Sequence, residues 1–161
     1  MNEKQLRSAL ADEYKSARKG LAGLMAAAVG ARTVLVVLEL LVSVYAGESV
    51  PEILRSILGY GCMVLFAVLI VQGRRAFAYL GAAGGILILI NGIRAVVTLE
   101  DLGQYIVIFR AYVISLIAAG AIEAAMMFWA AYGRRFRPYY TATDELEMRI
   151  SEYKKMSGQM K

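Results

Sequence analysis

Six polar residues stand inside long apolar stretches of this chain: Arg32, Glu39, Asn91, Arg94, Arg110 and Glu123. Lipid does not solvate an ionisable group, so each charge among them needs a partner, a water-filled cavity or a route to the surface. The chemistry open to such a set is narrow. Opposed charges can pair across a helix bundle, or the set can form a polar seam that passes an ion, a proton or a small solute.

Other chemistries fall away on residue types. The chain has no histidine, so imidazole metal sites, Ser–His nucleophiles and histidine proton relays are absent, and no cofactor or metal site is expected. Cys62 is the only cysteine, which rules out an intrachain disulfide or thiolate cluster. Its setting in Gly59–Tyr60–Gly61–Cys62 points to a small residue at a helix contact. No glycine-rich loop is built to cradle phosphate, and neither Ser43 nor Ser115 has an activating base in a recognisable motif. The chain is expected not to be an enzyme.

The elements that must position these residues are membrane helices. Of 161 residues, 59% are hydrophobic and 19% are charged, against about 45–50% and about 25% in soluble domains. In Val34–Leu38, Met63–Val71 and Gly85–Ile90 every face of a helix would be apolar, which a small soluble bundle could not bury. Four spans emerge, at about 21–46, 53–71, 76–98 and 102–132, each long enough for a bilayer core that needs about 20 residues. The connections, Gly47–Glu52, Gln72–Arg75 and Glu100–Asp101, are short, so neighbours in sequence pack antiparallel. The fold expected is all-α: a polytopic membrane protein with four transmembrane helices in an up-down-up-down antiparallel bundle. Residues 21–138 make the membrane domain, between a basic amphipathic segment (1–20) and a C-terminal helical tail (139–161).

Charge sets the expected orientation. Lys4, Arg7, Lys15, Arg18 and Lys19 precede the first span, Arg74 and Arg75 occupy the middle connection, and Arg134, Arg135 and Arg137 follow the fourth. The opposite side carries Arg55 with Glu48, Glu52, Glu100 and Asp101. The positive-inside rule then puts both termini in the cytoplasm of a multi-pass cell-membrane protein. Arg74, Arg75, Arg134, Arg135 and Arg137 are expected at lipid headgroups. Tyr45, Tyr60 and Tyr105 are expected at the outer interface, and Phe77, Tyr79, Phe128, Trp129, Tyr132 and Phe136 at the inner one. The net charge of +5 is explained by anionic lipid, with no nucleic-acid partner. The first span reads as a permanent helix rather than a cleaved signal.

Depth orders the intramembrane charges. At a rise of about 1.5 Å per residue, Arg32 and Glu123 lie about 16 and 14 Å from the inner boundary. Glu39 and Arg94 lie about 27 Å in, and Arg110 about 33 Å. Two levels of pairing follow, Arg32 with Glu123 and Glu39 with Arg94, Arg110 being close to the second. Arg32 and Glu39 are two turns apart and share a face, as do Asn91 and Arg94.

Further patterns flank this seam. Gly81, Gly85, Gly120 and Ala124 offer small-residue packing surfaces within or between subunits. Gly73–Arg74–Arg75 and Gly133–Arg134–Arg135, each with a tyrosine six residues after the glycine, could reflect a duplicated two-helix hairpin or positive-inside selection acting twice. Leu6, Leu10 and Tyr14 suggest a short amphipathic helix. After Pro138, expected to stop the fourth helix or its extension, Thr143 reads as the cap of a segment with Asp144, Glu145 and Glu147 in its first turn and Leu146, Ile150 and Tyr153 on one face. Two functional readings remain. The preferred one is a scaffold or accessory subunit with buried interhelical ion pairs, partnered by lipid and by self-association or another membrane protein. The alternative is a small oligomeric transporter or channel with its polar seam between the first, third and fourth spans.

Overall fold

The computed structural model describes residues 3–47, 50–98 and 107–159. They form six helices and no strand: α1 (Glu3–Glu13), α2 (Lys15–Ala46), α3 (Val50–Val71), α4 (Ala76–Thr98), α5 (Val107–Tyr132) and α6 (Arg137–Gln159). Four segments, Lys15–Ala46, Leu54–Val71, Ala76–Val97 and Val107–Tyr132, are long and apolar enough to cross a membrane. The rest of the expected 102–132 span, with Glu48, Glu100, Asp101 and Tyr105, lies outside the described residues.

Local chemistry explains the helix ends. Gly47 terminates α2 in the left-handed conformation (φ 68°), its N–H turned back to the Val44 carbonyl. Gly73 (φ 93°) closes α3: its N–H bonds Ile70 O at 2.9 Å and the Arg74 N–H bonds Leu69 O at 3.0 Å. That reciprocal pair is a Schellman cap, and the positive φ favours glycine. The two prolines act as helix starters. Pro51 sits in the first turn of α3 rather than in a connection, and Pro138 is the second residue of α6 rather than a stop. A first-turn proline loses no helical hydrogen bond and supplies a preset φ. Thr143 therefore lies well inside α6, buried, its Oγ1 donating to Tyr139 O at 2.8 Å. It is not a cap, and Asp144, Glu145 and Glu147 are not in a first turn.

At the other end of the chain, helix begins before the expected span. Only Tyr14 separates α1 from α2, and the Tyr14 N–H to Leu10 O and Arg18 N–H to Tyr14 O bonds carry the four-residue helical spacing through the joint.

Around the bundle, α2 packs on α3 and α5, and α4 packs on α3 and α5, so α2 and α4 are across from each other. The α4–α5 seam is the closest. A methyl on Gly85 would lie 2.5 Å from Ala124 N, one on Gly120 2.5 Å from Leu89 N, and one on Gly92 2.9 Å from Ile117 N. The contacts descend α5 as they ascend α4, so this pair is antiparallel, with small residues letting the backbones touch. The small-residue surfaces of Gly81, Gly85, Gly120 and Ala124 thus meet within one chain.

The core gathers at one end of the bundle. Leu21, Met25 and Ala28 of α2 meet Met63, Ala67 and Ile70 of α3, Met127 and Ala130 of α5, and Phe136, Tyr139 and Tyr140 beyond it. Phe136, expected at an interface, is buried here, near the Gly20 backbone. Cys62 falls off the buried α3 stripe of Met63, Ala67 and Ile70 and is exposed rather than at a helix contact. Val34, Leu58, Leu87, Ile114 and Trp129 point outward, the arrangement that suits helices whose outer faces meet lipid.

Candidate functional site

Two polar constellations stand out. The first lies within the spans. Glu123 on α5 is 4% exposed, its Oε1 3.6 Å from where a methyl on Gly84 of α4 would sit. Arg32 on α2 is half-buried and reaches over Gly59 of α3, its Nη2 3.5 Å from an equivalent methyl position. Each charged group lies over a glycine, which leaves it room between helices. Arg32 and Glu123 sit on neighbouring helices, α2 and α5. The two nevertheless make no direct ion pair, and Glu123 Oε2 and Arg32 Nε are both buried without a hydrogen-bond partner. Thr33 beside Arg32 shares a 3.0 Å hydroxyl contact with Tyr60 of α3 and donates to Val29 O.

The outer level is not joined. Glu39 is half-buried on α2, while Asn91 and Arg94 are exposed on α4. Those two helices are across the bundle from each other, and no ion pair links Glu39 to Arg94. Arg94 and Arg110 engage other groups.

The second constellation assembles at the core-rich end. Glu147 Oε1 accepts from Arg7 Nη1 of α1 and from Arg74 Nη2 of the α3–α4 turn, both at 2.8 Å. Tyr139 donates to Val71 O at 3.0 Å and stacks near Tyr14, ring centroids 5.8 Å apart. Arg135 Nη2 donates to Ser16 Oγ at 2.9 Å and to Ser16 O at 3.3 Å. These bonds tie α6 to α1, to the α3–α4 turn and to the end of α3, and tie the α5–α6 turn to the start of α2.

Beneath them lies a cavity of about 540 Å³ lined by Arg7, Leu10, Ala11, Arg18, Gln72, Arg74, Tyr139, Thr143 and Leu146. Arg18 Nε is buried there without a hydrogen-bond partner. Burial raises the Tyr139 hydroxyl above its ordinary range, and the Arg18 charge opposes part of that shift. Tyr140 is raised much further by burial, with Arg75 opposing.

The arginines expected at headgroups thus have different surroundings. Arg74 is paired with Glu147. Arg75 turns into the protein, its Nε donating to Ala131 O at 2.8 Å and its guanidinium 5.4 and 5.8 Å from the Tyr79 and Tyr132 ring centroids. Arg135 holds Ser16, while Arg134 and Arg137 are exposed.

Sequence reasoning passed over Arg7, Arg18, Gln72 and Tyr139 as site residues. The available signal was the four-residue spacing of Tyr139, Thr143 and Glu147, which places them on one face of α6. Among the described residues no three His, Cys, Asp or Glu side chains cluster as a metal site would require. Compared with protein-family models, curated proteins and solved structures, the chain gives no significant match.

Proposed function

We propose that the chain is a multi-pass protein of the cell membrane, with four spans running up-down-up-down and both termini cytoplasmic, and that it acts as a non-catalytic scaffold or accessory subunit. The orientation rests on the arginine and lysine bias toward one side. The observation that carries the role is the pair of salt bridges from Glu147 to Arg7 and Arg74. It fastens both extramembranous helices onto a turn between spans, so the bundle serves as an anchor that presents a cap of defined shape. Lipid is the first partner, and the outward apolar faces suit self-association or another membrane protein.

A second reading, a small transporter or channel, is favoured by one observation: Glu123 Oε2 and Arg32 Nε are buried between helices without partners. Intramembrane charges left in that state can mark a pathway. Reconstitution in liposomes with proton and ion flux readouts separates the two. A scaffold leaves flux at the protein-free level in both wild type and Glu123→Gln. Flux that wild type supports and Glu123→Gln abolishes overturns the scaffold reading in favour of transport.

A further inference from the structure

We propose that the cavity at the arginine-rich end binds a phosphate-type anion, with Arg18 and Arg74 as its principal ligands. Three arginines from three elements line it: Arg7 from α1, Arg18 from α2 and Arg74 from the α3–α4 turn. Glu147 meets Arg7 and Arg74 through a single oxygen, and no ion pair involves Arg18 among the described residues, so its charge is left for an anion.

Arg18 supplies the second, independent observation. The Arg18 guanidinium lies beside the Tyr139 hydroxyl, yet its Nε is buried and has no hydrogen-bond acceptor, although a buried donor left unsatisfied is costly. An oxyanion in the cavity would satisfy it. The guanidinium fork matches two phosphate oxygens at once, which a lysine ammonium does not. Arg74 commits Nη2 to Glu147 and has further N–H groups to offer. The volume of about 540 Å³ falls in the range of small-molecule sites, about 300–1,000 Å³. Leu10, Ala11 and Leu146 add an apolar wall, which suits a phosphomonoester whose organic part lies against it.

The cavity adjoins the turn after α3, where a candidate span ends at Val71. The same chemistry can therefore come from a soluble phosphate or from a lipid headgroup. The proposal does not depend on the scaffold reading, because a flux result leaves the arginine cavity as it is.

The test uses the full-length protein in phosphatidylcholine nanodiscs at constant ionic strength. One arm adds inorganic phosphate in place of chloride, and the other incorporates phosphatidic acid into the nanodisc lipid. Thermal unfolding and equilibrium binding of labelled phosphate or labelled phosphatidic acid are read for wild type, Arg18→Gln, Arg74→Gln and the exposed control Arg134→Gln. The expected result is a higher Tm in at least one arm, with affinity lowered about ten- to a hundredfold by Arg18→Gln or Arg74→Gln and unchanged by Arg134→Gln. A response to inorganic phosphate assigns a soluble ligand, and a response confined to phosphatidic acid assigns a headgroup. Should Arg18→Gln fail to fold, Arg74→Gln alone decides. No response of wild type in either arm, or a response that the folded pocket variants share in full, overturns the proposal.

Discussion

The phenol of Tyr140 is 2% exposed, and its hydroxyl has no hydrogen-bond partner. A buried hydroxyl in that state costs about 1–3 kcal/mol relative to a satisfied one. Tyr140→Phe removes the oxygen and keeps the ring, so stability in detergent should be unchanged or higher by up to about 1 kcal/mol. A clear loss in a chemical or thermal melt would show that the oxygen has a partner. Burial also raises both Tyr139 and Tyr140 above the ordinary tyrosine value of 10.0. Above that pH the unfolded chain releases these protons while the folded chain keeps them, so the folded state binds more protons and stability falls as pH rises. Between about pH 9 and 11 the wild type should therefore lose more stability than Tyr140→Phe, which lacks the more strongly shifted group. Equal losses in paired melts would contradict the burial of that hydroxyl.

At the level of elements, the α4–α5 seam depends on the absence of side chains. The methyl of Gly85→Ala would lie 2.5 Å from Ala124 N, a contact that only backbone movement relieves. Such overpacking costs about 1–3 kcal/mol. Gly61 on α3 has nothing within 4 Å of the same position, so Gly61→Ala should instead gain up to about 1 kcal/mol from helix propensity. Denaturant titrations of the two variants side by side check the sign, and no loss in Gly85→Ala would refute the close approach. The small residues of this seam were legible in the sequence, but their partners were not. Four-residue spacing says that Gly81 and Gly85 share a face without saying which helix that face meets. Proline was harder to read, because Pro51 and Pro138 carry the same signal whether they end one helix or open the next. Both open the next helix, each as its second residue.

For the whole molecule, Glu147 is the joint between cap and bundle. Its two ion pairs are partly exposed, with side-chain exposures of 26% for Glu147, 43% for Arg7 and 47% for Arg74. Pairs of that kind contribute about 0–1 kcal/mol each. Glu147→Ala should then shift the global melt little while freeing α1 from α6. Amide hydrogen exchange or limited proteolysis across Glu3–Glu13 reports this directly: faster exchange with a nearly unchanged melt is expected. Unchanged exchange in that segment would show that the Glu147 pairs are not what holds α1, leaving the packing of Leu10 and Tyr14 against the core.

Composition by itself determined the class of element. Four apolar stretches of about bilayer length or more, separated by polar breaks, dictate long helices with lipid-suited faces, because an unpaired backbone cannot cross hydrocarbon. Sequence also located the buried carboxylate and a cation near its depth, since a charge inside an apolar run is visible without coordinates. What it left open was which helices are neighbours. Depth arithmetic set Glu39 level with Arg94, but the order of helices around the bundle puts α2 across from α4 and leaves them unjoined. The same lateral order brings Arg32 toward Glu123 without a direct pair, and it assembles Arg7, Arg18 and Arg74 from segments far apart in the chain. Distance along a helix axis follows from residue number at a fixed rise. Placement around the axis of the bundle depends on which surfaces fit, and only the folded structure decides it.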